Sequence, residues 1–197
     1  VQKIMQKYNL QCKVRVKKYK KYIGNESLVA ENKLNRNFKA ISPNQKWATD
    51  ITEFNVLGKK LYLSPIIDLF NGEIISYELS ERANFDQIIA MLKKSFKRIT
   101  NQTNLILHSD QGWQYQMKQY QTILKDKGII QSMSRKGNCL DNAIIENFFG
   151  ILKSELFYLK QYKSITQLKH EIKEYIIYYN NDRIKQNLKG MSPIQYR

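Results

Sequence analysis

Three acids in this chain fall where a folded protein has little use for a charge, and their placement constrains the fold more than any other feature. Asp50 stands inside Trp47-Ala48-Thr49-Asp50-Ile51-Thr52, Asp110 ends Leu105-Ile106-Leu107-His108-Ser109-Asp110, and Glu146 follows Asp141-Asn142-Ala143-Ile144-Ile145. A carboxylate in an apolar segment loses hydration unless a cation or hydrogen-bond donors replace it. With the side-chain period of a strand, Ala48, Asp50, Thr52 and Phe54 share one face, so Asp50 sits among small and apolar neighbours. Asp110 closes a short apolar run and precedes Gln111-Gly112, the position at which a crevice opens at the end of a sheet. At helical spacing, Ile145, Phe148, Phe149, Leu152, Leu156 and Leu159 form a core stripe. Asn142, Glu146, Gly150 and Lys153 run along its flank, which puts Glu146 at the border of the core.

The segments around these acids predict the order of elements. Lys46 to Val56 alternates as a strand, Leu57-Gly58-Lys59-Lys60 reads as a hairpin turn, and Leu61 to Phe70 is an apolar strand. Asn71-Gly72 is a second hairpin turn, and Glu73 to Ser80 is the returning strand. Asn84 caps an amphipathic helix that runs to Ile99. Leu105 to Leu107 has the continuous apolar character of a central strand, Tyr115 to Lys127 is a helix stopped by Gly128, and Ile129 to Met133 is a last short strand. Leu140 to Leu159 and Ser164 to Asn181 are long helices. The order βββαβαβαα predicts an α/β fold with a mixed five-stranded sheet and helices on both sides.

Charge is distributed unevenly, and that points to a partner. Residues 1–40 carry 11 Lys or Arg against 2 acids, residues 41–150 carry 13 against 11, and residues 151–197 carry 9 against 4, so the middle is the near-neutral core. Lys13, Arg15, Lys17, Lys18, Lys20 and Lys21 form a basic arm, and Ser42-Pro43-Asn44 punctuates its junction with the core. A net charge of +16 favours a polyanion, and nucleic acid fits better than membrane because no long apolar stretch or lipidation signal is present. Cys12 and Cys139 lack zinc-ligand spacing, and His108 and His170 are too few and too far apart for zinc, so the chain reads as cytosolic and reduced. Mg²⁺ or Mn²⁺ prefers hard oxygen ligands, and three converging carboxylates supply them without Cys or His. Acids on buried-looking elements of a basic protein thus suggest a two-ion site for phosphoryl transfer on nucleic acid.

The three blocks also resemble a family. Trp47-x-Thr49-Asp50-Ile51-Thr52, His108-Ser109-Asp110-Gln111-Gly112-x-x-Tyr115 and Cys139-Leu140-Asp141-Asn142-Ala143-x-x-Glu146-Asn147-Phe148-Phe149-Gly150 occur in order, with 35 residues between Asp110 and Glu146. They are similar to the blocks of the DDE transposases of bacterial insertion sequences, in the third insertion-sequence family, akin to retroviral integrases. Tyr178-Tyr179-Asn180-x-x-Arg183, Ser192-Pro193 and Tyr196-Arg197 match the same pattern. The resemblance implies a ribonuclease-H-like fold and an enzyme that uses Mg²⁺ or Mn²⁺ to cut the element's ends and join them to target DNA. It assigns Asp50, Asp110 and Glu146 as metal ligands and Lys153 as a contact to element-end DNA. Arg135, Lys136, Asn142, Arg183 and the arm residues Lys17, Lys18, Lys20 and Lys21 complete the candidate DNA contacts.

On this reading residues 1–40 are a basic arm and linker, 41–162 an integrase-type catalytic core, and 163–197 a carboxy-terminal helix and basic tail packed on it. The expected partners are insertion-sequence end DNA and target DNA, with a homo-oligomer on DNA, no membrane, and a cytoplasmic location at the nucleoid when bound. Two departures from the pattern stand out. Lys185 occupies a position where relatives often carry His, and Val1 to Leu10 reads as the last helix of an upstream DNA-recognition region, as in a downstream-frame product or fragment. That region would come from an upstream-frame protein. A ribonuclease-H-like nuclease without joining activity and an inactive DNA-binding remnant of a decayed element are the alternatives.

Overall fold

The structure, a computed structural model, describes residues 2–9, 29–99 and 104–197. The arm lysines Lys17, Lys18, Lys20 and Lys21 lie outside the described residues. In chain order the elements are α1 (Gln2–Lys7), β1 (Lys46–Thr49), β2 (Thr52–Val56), β3 (Lys59–Asp68), β4 (Ile74–Ser80), α2 (Phe85–Ser95), β5 (Ile106–Ser109), α3 (Trp113–Gln116), α4 (Lys118–Asp126), β6 (Ile130–Met133), α5 (Ala143–Glu155), α6 (Ile165–Asn181) and α7 (Pro193–Tyr196).

The mixed sheet has six strands, because the segment expected as one strand over 46–56 is interrupted at Asp50-Ile51. Both halves keep a single antiparallel register on β3, with Thr49 opposite Ile66 and Thr52 opposite Leu63. The interruption therefore falls opposite Ser64 and Pro65, and Pro65 has no N–H to give to a ladder. β4 lies antiparallel along β3, whereas β1 pairs in parallel with β5, and β5 with β6. Parallel pairing aligns the carboxyl ends of β1 and β5, so Asp50 and Asp110 leave the sheet at the same end.

Strand alternation divides the core between two faces. Ala48, Phe54, Leu61, Leu63 and Ile67 pack against Ile145, Phe148 and Leu152 of α5 and Leu168, Ile172 and Ile176 of α6. Trp47, Ile66 and Leu107 pack on the opposite face against Ile88, Met91 and Leu92 of α2 and Tyr120 and Leu124 of α4. Asn84 caps α2 and Ser164 caps α6, each accepting a hydrogen bond from the amide three residues on. Three expected helices are divided: the one expected to run to Ile99 ends at Ser95 and gives way to a 3-10 turn at Phe96–Arg98. Met117, with ψ 132°, separates α3 from α4, and short 3-10 turns at Cys139–Asn142 and Phe157–Leu159 flank α5 inside the stretch expected as one helix.

The carboxy-terminal segment is tied to the turn between β3 and β4. Arg197 donates to Glu73 at 2.6 Å and to Asp68 at 3.3 Å, and Asn71 donates to the Pro193 carbonyl at 2.7 Å. Lys185 donates to the Tyr179 hydroxyl at 2.7 Å, with its ammonium 4.4 Å from the centre of that ring. Gly72 has φ +71°, so this turn favours glycine for its conformation, and a Cβ there would displace the Lys185 ammonium, 2.5 Å away. Burial, with Arg183 adding repulsion, pushes the Lys185 ammonium down to about 8. In the unfolded chain the group keeps its ordinary value near 10.5. Below about 8 both states are protonated and the full cost of burying the charge is present; between about 8 and 10.5 the unfolded state binds more protons, and stability rises with pH. Urea denaturation of wild type and Lys185→Gln across that window is expected to show wild type gaining stability relative to the variant as pH increases, and parallel curves would contradict the buried, charged state of Lys185.

Candidate active site

Extending the β1/β5 register, in which Trp47 faces Leu107 and Ala48 faces His108, by two residues sets Asp50 beside Asp110. Asp110 Oδ1 accepts the Gly112 amide at 2.9 Å, and Asp50 Oδ1 accepts the Ile51 amide at 2.7 Å. Burial pushes the Asp110 carboxyl above its ordinary value, against the Gly112 hydrogen bond. Tyr115 reports the same negative potential. Its phenol is raised first by burial and then by both Asp50 and Asp110, and Tyr120, packed edge-on against it at 5.4 Å, is raised by burial and by Asp110. Two adjacent, partly desolvated carboxylates form a hard-oxygen donor set that fits a divalent cation.

Glu146 does not complete that set in this structure. It occupies the exposed arc of the first turn of α5, whereas the helical stripe had placed it at the border of the core. Ile145, Phe148, Phe149 and Leu152 fill the buried arc and turn Glu146 outward. Among the described residues, no three His, Cys, Asp or Glu side chains gather closely enough to hold an ion.

The other candidate residues have varied settings. Lys153 is half-buried further along α5, its ammonium 5.2 Å from the centre of the Phe54 ring. Asn142, at the start of α5, is buried, and both polar atoms of its side chain lack hydrogen-bond partners. Lys136 is exposed. Arg135 and Arg183 are engaged within the protein: Arg135 is bidentate on Asp141, and Arg183 on Glu155. The Arg183 pair also holds the Glu155 carboxyl below its ordinary value.

His108 is buried on β5 two residues before Asp110. Its Nδ1 is 2.8 Å from Ser132 Oγ and its Nε2 3.2 Å from Ser134 Oγ, and burial pushes it down to about 4, so the imidazole is neutral near pH 7. The neighbouring role of Asp141 was not evident from sequence. Fully buried, it accepts hydrogen bonds from Asn32, Arg36 and Arg135, and Arg135 first, then Arg36, hold its carboxyl far below the ordinary value against the effect of burial. Its place in the block before Glu146 was visible in the sequence, but its partners 105 and 109 positions away were not.

Comparison with known proteins agrees with this architecture. Residues 41–139 match one integrase core domain model and residues 146–197 a second. The chain is 55% identical, over its whole length and 70% of the relative, to a protein of Escherichia coli K12 named as transposase InsK for insertion sequence element IS150. It is 54% identical to a transposase-like protein of Haemophilus influenzae, over the whole chain and 91% of that relative. In three dimensions it is similar to the HTLV-2 integrase catalytic core domain solved in complex with magnesium, with a TM-score of 0.64, 18% identity, and coverage of 79% of this chain and 97% of that one. A simian T-cell lymphotropic virus intasome, solved with a PP2A regulatory subunit, gives a TM-score of 0.64 at 17% identity, covering 82% of this chain and 56% of that one. The fold is thus that of the retroviral integrase catalytic core, and with its sequence relatives it places the chain in the integrase-core family of insertion-sequence transposases.

Proposed function

We propose that this transposase cuts DNA at the ends of its insertion sequence and joins the freed ends to target DNA, using two divalent ions, Mg²⁺ or Mn²⁺, held by Asp50, Asp110 and Glu146. The observation that carries this reading is the juxtaposition of Asp50 and Asp110 at the aligned ends of two parallel strands. When bound, such ions activate an attacking oxygen and stabilise the leaving one. Asp50 and Asp110 hold the charge of the site at the strand ends, and Glu146 completes the ligand set when its side chain swings inward from a fixed start of α5. Water attacks the phosphodiester in the first step, releasing a 3′-hydroxyl; that hydroxyl is the nucleophile in the second, so no covalent link to the protein is required.

The surrounding residues fit a polyanionic substrate. Lys153 follows Glu146 along α5 and positions the reacting end, and the unpartnered amide of Asn142 offers a donor and an acceptor at the start of the same helix. Lys136 and the guanidinium edges of Arg135 and Arg183 left over from their ion pairs face the phosphate backbone, while Lys17, Lys18, Lys20 and Lys21 neutralise phosphates further away. The resemblance to integrases solved with magnesium and in an intasome supports metal use and assembly as a homo-oligomer on DNA. The protein works in the cytoplasm at the nucleoid. No helix among the described residues is long and apolar enough to cross a membrane.

Asp110→Asn removes a desolvated charge with little change in shape. It is expected to abolish cleavage and joining of pre-cut ends in Mg²⁺, leave duplex affinity equal or tighter, and leave the thermal midpoint unchanged or raised. A variant that cleaves near the wild-type rate would overturn the metal assignment. Replacing Lys17, Lys18, Lys20 and Lys21 with Ala is expected to weaken binding to all DNA sequences alike and to flatten log affinity against log salt by about 0.9 per lost duplex contact. Lys153→Ala is expected instead to lower turnover at saturating DNA. An unchanged salt slope in the arm variant, or an effect of Lys153→Ala on affinity alone, would refute this division of labour.

A further inference from the structure

Glu146 stands apart from Asp50 and Asp110, so something must determine where the start of α5 rests. The helix end has little of its own to fix it: its N-cap residue, Asn142, makes no side-chain capping bond. One position earlier, however, Asp141 is fully buried and accepts five hydrogen bonds. Its Oδ1 accepts from Arg36 Nε and Arg135 Nη2, both at 2.9 Å. Its Oδ2 accepts from Arg135 Nε at 2.9 Å, Asn32 Nδ2 at 3.0 Å and the Arg135 amide at 3.1 Å.

These partners reach back to Asp110. Arg135 directly follows Ser134, whose amide donates to the Ser109 carbonyl at 2.9 Å and whose own carbonyl accepts from Gln111 Nε2 at 3.0 Å. Ser109 and Gln111 flank Asp110. A continuous set of hydrogen bonds thus runs from both sides of Asp110 through Ser134 and Arg135 to Asp141, five residues before Glu146. The other half of the junction comes from the segment before β1. Asn35 and Arg36 adopt successive left-handed conformations, φ 42° and 61°, which are unfavourable for a side chain such as that of Arg36. The Asn35 amide donates to Asn32 Oδ1 at 2.8 Å, and Arg36 donates to both Asp141 and Asn138. Buried Leu34 anchors this segment through its amide, 3.2 Å from Ser132 Oγ.

We propose that Asp141 is the positioning residue for Glu146: gripped by Arg135 from the Asp110 side and by Arg36 and Asn32 from the segment before the core, it sets the start of α5 relative to the two aspartates. This rests on the reading of Asp50, Asp110 and Glu146 as ligands of one site. The linker that leads from the basic arm thereby takes part in completing the site, because two of its side chains hold the joint.

The test measures Mn²⁺ binding by electron paramagnetic resonance, with a pre-cut DNA end present, alongside strand transfer and a thermal midpoint. Asp141→Asn keeps the shape and removes the charge; Arg135→Lys and Arg36→Gln loosen the grip from either side and remain informative if Asp141→Asn folds poorly. At temperatures where circular dichroism shows each variant folded, the half-saturating Mn²⁺ concentration is expected to rise about 10-fold or more for Asp141→Asn and Arg135→Lys, and by less for Arg36→Gln, with strand transfer recovering at high metal. In a Glu146→Gln background the same substitutions are expected to cause no further shift. Lower thermal midpoints with unchanged half-saturation would reduce Asp141 to a structural role and overturn the proposal, as would an equal shift in the Glu146→Gln background. Loss of the ligand assignment has a separate signature: Asp110→Asn would bind Mn²⁺ as wild type does.

Discussion

Two carboxylates at the ends of neighbouring parallel strands repel each other, and burial strengthens the repulsion by removing water. Most of this end of the sheet can be understood from that constraint. Parallel pairing of β1 with β5 brings Asp50 and Asp110 together, and local amides from Ile51 and Gly112 offset part of the cost. Three groups packed nearby stay uncharged near pH 7: Tyr115 and Tyr120 present buried phenols that are harder to ionise there, and His108 is held neutral. Paired carboxylates set among such neutral groups make a stronger case for metal chemistry than the presence of acids alone.

The break between β1 and β2 belongs to the same logic. A regular ladder through Asp50 would require a backbone donor opposite it, and Pro65 supplies none. The carbonyl of Pro65 instead accepts the Thr49 hydroxyl at 2.8 Å, which pins the last residue of β1. Asp50 can therefore depart from strand geometry while the residues on either side remain in register.

Much of this was legible in the sequence because it depends on local periodicity. Alternation located the strands, Asn71-Gly72 marked the turn, Asn84 and Ser164 marked helix starts, and the apolar run ending at Asp110 identified a buried strand. Besides the partners of Asp141, three features were not legible. The interruption at Asp50 depends on which residue lies across the ladder. The division of Tyr115 to Lys127 depends on the extended ψ at Met117, a residue type that helices ordinarily accept. The outward position of Glu146 depends on which arc of α5 meets the sheet, and a stripe containing Ile144, Ile145, Phe148 and Phe149 is wide enough to leave that rotation open by tens of degrees.

The segment before β1 shows how an apparently featureless linker acquires a role. Among the described residues β6 pairs only with β5, so its outer side is a sheet edge, which proteins commonly cover. Residues 29–36 lie against it: the Ala30 amide approaches Met133 Sδ at 3.3 Å, Leu34 is buried, and Asn32 and Arg36 reach Asp141. Covering the edge would by itself need only apolar contact and backbone hydrogen bonds. The two left-handed residues do something more specific, since they turn the Arg36 guanidinium onto a carboxylate that belongs to the approach to α5. Conformational strain of this kind persists only where surrounding contacts offset it, and here the offsetting contact is the one that joins the linker to the turn leading into α5.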